Sequence, residues 1–366
     1  DAVLLRPDLL AAGGDTITRA RFLGETSQFT VTATSVVETF PSPLVEACLD
    51  EDMARLPVPI GRLNPDLLSN LQGWLPNGQH DPAAVDLAQE ALMGSDERSL
   101  TFLQQLVEIM RQDGVDSVIH FAARKQVGES VLKPEWYFQQ NIGGMANLLE
   151  AMHEVGVNKL VFSSSAATYG MPDVPAVTEA TVCNPINPYG QTKLIGEWMA
   201  ANASRAWGLR AVNLRYFNVA GAGWPELADT AVMNLVPIVF AALDAGKQPV
   251  VFGDDYATAD GSCVRDYVHV QDLAEAHVAA LGYLDKDVRK HDTFNVGAGK
   301  GASVFEVLAE IKKVSGIDFE IDVQPRRAGD PPYLCADVSR IKSELGWSAK
   351  RDLHEIIESA WAARKI

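Results

Sequence analysis

Tyr189 and Lys193 stand four residues apart in the run Asn187-Pro188-Tyr189-Gly190-Gln191-Thr192-Lys193. On a helix that spacing puts both side chains on one face, one turn apart. A free phenol, with a pKa near ~10, is a poor base at neutral pH, but an adjacent ammonium favours phenolate and can bring it into working range. With eight tyrosines in the chain, such a pair arises easily by accident. Its position raises its significance, because it follows Ser163-Ser164-Ser165 at the end of the apolar run Lys159-Leu160-Val161-Phe162. Three hydroxyls at a strand end can hydrogen-bond a substrate hydroxyl or carbonyl, although taken alone the run reads as a serine-rich turn.

Three further clusters bear polar or cationic groups. Arg215-Tyr216-Phe217-Asn218 follows the next apolar run, where Asn218 alone reads as an ordinary Asx turn. Arg265-Asp266-Tyr267-Val268-His269 and Pro325-Arg326-Arg327-Ala328-Gly329-Asp330 bring arginines into an acidic chain. Surface arginines are commonplace, yet a guanidinium fork also suits a diphosphate.

The elements that must position these groups are legible from about residue 99 onward. Short apolar runs at 117–121, 159–162, 211–214 and 250–252 read as buried strands. Segments 134–155, 188–207 and 230–245 read as helices, with Pro134 and Pro188 near first turns, where a missing N–H costs nothing. Strands alternating with helices predict an α/β fold, a doubly wound parallel sheet, and in such sheets the loops leaving strand carboxyl ends build the site. Residues 1–98 are different in kind. They hold no lysine and 15 of the acidic residues, with scattered prolines, one plausible strand at 29–36 and one plausible helix at 82–93.

The whole chain has 366 residues, 31 Lys+Arg against 48 Asp+Glu, and a net charge of −17. So acidic a chain repels the phosphates of nucleic acid and anionic membrane, which leaves a small molecule as the expected partner. No apolar run has the roughly 18 residues of a membrane helix, and the opening residues lack a secretory pattern, so a cytoplasmic location is expected. Cys48, Cys183, Cys263 and Cys335 form no C-x-x-C pair, and neither a zinc site nor a disulfide framework is expected.

Taken together, the motifs cease to be independent. Val118-Ile-His-Phe-Ala-Ala-Arg-Lys125-Gln-Val-Gly-Glu-Ser130, the 163–170 run, Pro188-Tyr-Gly-x-x-Lys193, Leu214-Arg-Tyr-Phe-Asn218, Phe252-Gly-Asp-Asp-Tyr-x-Thr258, Asp260-Gly-x-Cys-x-Arg-Asp-Tyr-x-His269, Asn295-Val-Gly-Ala-Gly299 and Pro325-Arg-Arg-x-Gly-Asp330 occur in this order. As an ensemble over residues 99–366 they closely resemble the UDP-glucose 4-epimerases of the extended short-chain dehydrogenase/reductase superfamily.

The resemblance implies a Rossmann-like catalytic portion at 99–220 and a smaller, mainly UDP-sugar-binding α/β portion at 221–366, preceded by the atypical segment 1–98. It implies NAD as cofactor, a UDP-sugar as substrate, no nucleic-acid or membrane partner, and a homodimer as a candidate assembly. By the same resemblance Tyr189 is the acid/base, Lys193 tunes it and contacts the nicotinamide ribose, and Ser165 hydrogen-bonds the sugar 4-hydroxyl. Lys125, Asn141 and Phe217 join Tyr189 and Lys193 around the cofactor. Asn218, Asn234, Leu235, Arg265, Tyr267, Arg327 and Asp330 hold the UDP-sugar. In relatives the residue four after the Arg-Arg-x-Gly-Asp aspartate borders the sugar 2-position; here it is Leu334, of intermediate volume, and plain hexoses are expected over N-acetylated ones. Family members begin with Gly-x-x-Gly-x-x-Gly, and residues 1–98 offer only the pair Gly13-Gly14. The rival readings are a UDP-sugar-binding protein without cofactor, and a related NAD-dependent dehydratase or decarboxylase.

Overall fold

The computed structural model describes residues 4–10, 16–21, 95–174, 176–229, 231–286, 290–327 and 330–364, with side chains from residue 103 onward. The strand expected at 29–36, the helix at 82–93 and the pair Gly13-Gly14 lie outside the described residues. The chain forms two compact units, residues 1–115 with 147–157, and residues 116–146 with 158–366.

The first unit carries an antiparallel pair, β1 (Leu4–Leu10) and β2 (Thr16–Arg21), and helix α1 (Ser95–Gln112). It also holds most of α4, the Gly144–Val155 helix introduced below. Leu106, Val107 and Met110 of α1 are buried, as are Leu148, Leu149 and Met152. An exposed ion pair, Arg111 to Glu154 at 2.8 Å, ties the two helices and contributes little on its own.

The second unit contains every residue singled out for chemistry. Its centre is a parallel sheet in the order β3 (Val118–His120), β4 (Lys159–Ser165), β5 (Arg210–Tyr216), β9 (His291–Val296). The chain leaves β3 through α2 (Val127–Leu132), α3 (Pro134–Phe138), a π turn at Gln139–Gly143, and α4 (Gly144–Val155). The single helix expected at 134–155 is thus interrupted, and π turns of this sort often accompany functional sites.

Between β4 and β5 runs α5 (Pro188–Trp207), as the sequence predicts. Asn187 caps it by accepting from the Gly190 N–H, Pro188 takes the first position, and Gly208 closes it at a left-handed φ of 83°. Strand β6 (Asn218–Ala220) follows β5. Helix α6 (Leu235–Asp244) starts five residues later than expected, because Asn234 is extended and Ala231 turns back to bond Asp229.

After β7 (Val250–Phe252) and β8 (Val264–His269) comes α7 (Val270–Leu284). Beyond β9 lie β10 (Gly301–Ser303), α8 (Val304–Ser315), β11 (Asp322–Gln324), β12 (Tyr333–Leu334), α9 (Ser339–Leu345) and α10 (Leu353–Ala363). Strand β8 is the hub of a small mixed sheet, antiparallel to β10 and parallel to β12 and β6.

The parallel sheet is covered on both faces, and the serine run shows it. Ser163 Oγ meets His277 on α7 at 3.1 Å, whereas Ser164 Oγ donates to Glu197 on α5 at 2.5 Å. Successive strand residues point to opposite faces, so α5 and α7 sandwich the sheet. On the α7 side Val161, Val212, Leu214, Ala276, Ala280 and Phe294 form a dry core, each large side chain contributing about 1.5–3 kcal/mol. A second core under β8 joins Val236, Phe240, Tyr267, Leu308 and Ile356. The Rossmann-like, doubly wound class expected from sequence is the one observed.

Candidate active site

The serine run is strand rather than turn: β4 continues through Ser165, and Ser163 and Ser164 are fully buried. What looked like turn chemistry is the polar end of a buried strand, with its hydroxyls satisfied by helices on either side. Only after Ser165 does the backbone turn, into a short 3₁₀ segment at Ala166–Thr168 whose Ala167 N–H donates to Ser165 Oγ at 3.2 Å.

Helix α5 lies unusually close to this strand end. A side chain on Gly190 would sit 2.5 Å from the Ala167 carbonyl oxygen, and one on Gly196 would sit 2.5 Å from the Phe162 ring. Both glycines are therefore spacers that let α5 touch the strand. The approach brings Tyr189 and Lys193, 8% and 3% exposed, against the serines. Lys193 Nζ donates to the Ser163 carbonyl at 2.8 Å and lies 5.1 Å from the centre of the Phe162 ring.

Burial raises the Tyr189 pKa above its ordinary value and the hydrogen bond with Ser165 pulls it back. The Lys193 ammonium, spent on Ser163, is itself pushed down by burial to about 8, with Glu197 opposing the fall. In the protein alone the phenol is thus a protonated donor and acceptor poised at Ser165.

Asn141 is buried on the π turn, and its amide is used within the protein: Oδ1 accepts from Arg124 N at 2.7 Å, while Nδ2 donates to Arg124 O at 3.0 Å and to Thr192 Oγ1 at 2.9 Å. It ties the loop bearing exposed Lys125 to the helix bearing Tyr189. Phe217 is buried with Ala166 and Tyr169, and Leu334 packs on the same cluster.

Three of the residues expected to hold the UDP-sugar also converge. Asp330 bridges Arg327 at 3.0 Å and Arg265 at 3.6 Å, and Arg265 is braced by the carbonyls of Val264 and Pro331. Arg327 is stacked 4.6 Å from the centre of the Phe252 ring and 61% exposed, so its guanidinium faces solvent with one carboxylate partner among the described residues. Asn218 is paired in register with Tyr267 across β6 and β8. Asn234 and Leu235 sit at the start of α6, where Nδ2 of Asn234 donates to Asp229 and Leu235 packs on the core containing Tyr267.

Two positions carry more than sequence reasoning assigned to them. Asp266, fully buried between Arg265 and Tyr267, accepts from the N–H groups of Ala298, Gly299 and Ala336. Glu197 is buried opposite Ser164 and receives Arg215 through Nε at 2.8 Å and Nη2 at 2.6 Å. Its spacing, four residues beyond Lys193, was the available signal.

A buried Tyr189–Lys193 helix on a serine-ended strand of a parallel sheet, with Arg265, Asp330 and Arg327 linked beside the adjoining sheet, places the chain in the Rossmann-like class. Residues 95–360 match the family model described as GDP-mannose 4,6 dehydratase, and the chain belongs to that family. It is 45% identical to the UDP-glucose 4-epimerase of Lactobacillus helveticus over 72% of this chain and 81% of that protein, and 45% identical to that of Corynebacterium glutamicum over 70% and 78%. Among solved structures it is similar to UDP-glucose 4-epimerase from Brucella ovis in complex with NAD, with 42% identity, coverage of 70% of this chain and 81% of that one, and a TM-score of 0.68. It is likewise similar to the epimerase from Stenotrophomonas maltophila with bound NAD and formylated UDP-arabinopyranose, with 41% identity, coverage of 72% and 80%, and a TM-score of 0.68.

Proposed function

We propose that this chain is an NAD-dependent UDP-glucose 4-epimerase, interconverting UDP-glucose and UDP-galactose through a 4-keto sugar. The observation that carries the reading is the burial of Tyr189 and Lys193 of α5 against the serine end of β4, with Lys193 Nζ anchored on the Ser163 carbonyl at 2.8 Å. The names of the relatives and the NAD bound in the solved neighbours support the same activity over a dehydratase, a decarboxylase or a non-catalytic binder.

The residues present fit the nicotinamide end of the cofactor. Lys193 is a buried ammonium with three donors, one of which goes to Ser163, so the others can serve a ribose diol. The buried Oε1 of Gln140, beside Asn141, is likewise without a partner. Bound NAD supplies reversible hydride acceptance at the sugar C4.

The chain's own groups hold and move the proton. Ser165 orients the 4-hydroxyl, and Tyr189 Oη accepts its proton and returns it. A bound cofactor cation and the Lys193 ammonium would pull the phenol down from the raised value that burial imposes. Arg265, Arg327 and Asp330, with Asn218, Asn234, Leu235 and Tyr267, grip the UDP portion, so that the sugar can turn while its handle stays fixed. Lys125 and Phe217 border the reacting end. A homodimer belongs to the same proposal, supported by the exposed Trp198 on α5 and testable by sedimentation.

The decisive experiment incubates the full chain with UDP-galactose and NAD and follows the products by proton NMR. UDP-glucose is expected. A 4-keto-6-deoxy sugar would replace this reading with a dehydratase, a pentose and CO2 formed from a UDP-hexuronate supplied in a parallel incubation would replace it with a decarboxylase, and binding without turnover would replace it with the non-catalytic reading.

A further inference from the structure

Three residues of α5 at a repeat of four, Tyr189, Lys193 and Glu197, face three consecutive residues of β4. Tyr189 meets the Ser165 hydroxyl, Lys193 Nζ the Ser163 carbonyl, and Glu197 Oε1 the Ser164 hydroxyl at 2.5 Å. Each contact lies one helical turn from the next, so the three form a register lock between helix and strand.

The third rung differs from the others in being anchored from behind. Arg215 on β5 grips Glu197 with a two-pronged fork, and its Nη1 donates to Tyr169 Oη at 3.1 Å. The Tyr169 phenol in turn donates to Asn295 on β9 at 2.6 Å. The chain of bonds crosses the sheet from β4 to β9, with Glu197 and Arg215 side chains only 5% and 7% exposed.

A buried ion pair is weak evidence of a purely stabilising role. Replacing one by well-packed apolar groups is often neutral or favourable, because desolvating two charges offsets their attraction. The group that gives this pair a second role is Lys193, one turn back on the same helix face. Its ammonium is buried beside the Phe162 ring, with His120 on β3 kept neutral by burial and by the lysine itself, and Tyr189 on its own helix. Glu197 is the carboxylate that opposes the loss of its proton. Around Glu197 stand Ser164 and Arg215, with neutral His291 of β9 and the Cys183 thiol within reach of its charge.

Resting on the epimerase reading above, we propose that Glu197 is a positioning residue of the reaction: held by Ser164 and Arg215, it registers α5 on β4 and places a buried carboxylate one turn from the Lys193 ammonium, and it touches neither substrate nor cofactor. The charged lysine then serves the phenol and the ribose over a wider pH range than burial alone would permit.

The test is Glu197→Gln in the full chain, with NAD and UDP-galactose supplied. We expect the alkaline limb of the kcat profile to move down by about one pH unit, a tenfold loss at pH 8.5, with KM for the UDP-sugar within twofold. Glu197→Asp, which keeps the charge, restores the limb while lowering kcat uniformly. Where Gln leaves Arg215 buried and unpaired and the variant fails to fold, Glu197→Gln with Arg215→Gln removes both charges, and the same shift is expected. In parallel, carbon-13 NMR of lysine Cε follows the Lys193 titration without reference to activity. A profile lowered equally at all pH, or a Lys193 titration identical in wild type and variant, overturns the proposal. A wild type that does not interconvert the sugars while its Lys193 titration still depends on Glu197 sinks the epimerase reading and leaves the electrostatic link standing.

Discussion

The Lys193 ammonium, one turn beyond Tyr189 on the same helix, donates to the carbonyl oxygen of Ser163, 2.8 Å away. That bond fixes the lysine on the strand and leaves the tyrosine to Ser165. Removing the phenol oxygen should therefore abolish proton transfer without loosening the site. Tyr189→Phe is expected to lower kcat at least about a hundredfold with UDP-sugar affinity nearly unchanged. Near-normal turnover would show that another group moves the proton.

Arg327 is largely exposed, and among the described residues its guanidinium has one carboxylate partner and supports no backbone group. Arg327→Met should leave the melting temperature alone and raise KM for the UDP-sugar about ten- to a hundredfold, since a charge-assisted hydrogen bond is worth about 1.5–3 kcal/mol. An unchanged KM would remove it from the diphosphate site.

Asp266 predicts a pH dependence of stability. Desolvation raises its carboxyl to about 6, against the three N–H donors that favour the anion. The folded state therefore holds this proton more tightly than the unfolded chain. Its contribution is fully present below the ordinary carboxylate pKa and is lost as pH rises through about 6, on the order of 2–3 kcal/mol over that window. Denaturant unfolding of wild type and Asp266→Asn at pH 4 and pH 7 measures it. The asparagine variant should lack this decline, and equal pH slopes in both proteins would contradict the assignment.

Gly190→Ala would force its new methyl to within 2.5 Å of the Ala167 carbonyl oxygen, a backbone atom that cannot step aside. We expect a destabilisation of about 1–3 kcal/mol, together with a drop in kcat, because Tyr189 is the adjoining residue. A variant equally stable and active would mean that α5 does not need this close approach.

Leu334 packs with Ala166 and Phe217 beside the serine strand end. Leu334→Ala should raise kcat/KM for UDP-N-acetylhexosamines relative to UDP-hexoses by about tenfold or more, in keeping with the ~1–3 kcal/mol a packed pocket can discriminate. A ratio unmoved by the substitution would place the sugar 2-position elsewhere.

Local signals were enough for α5: Asn187 as cap, Pro188 at the first position, Gly208 as stop, and an apolar face between them delimit the helix to the residue. They were enough for the strand cores at β4, β5 and β7, where short apolar runs leave no other buried arrangement. The order of motifs was enough for the family, because chemistry demands particular residue types at particular strand ends.

Tertiary structure alone decided what those residues touch. The Ser163–Ser165 run reads as turn until His277, 114 residues on, and Glu197, 33 residues on, arrive to satisfy its hydroxyls from opposite faces. The Tyr189 pKa is raised because burial, a property of the assembled core, outweighs the hydrogen bond with Ser165. Asp266 and the Glu197–Arg215 pair show the same limit. A carboxylate in a sequence is an exposed charge by default, and only packing against backbone donors or a guanidinium from another strand turns it into a buried fixed point.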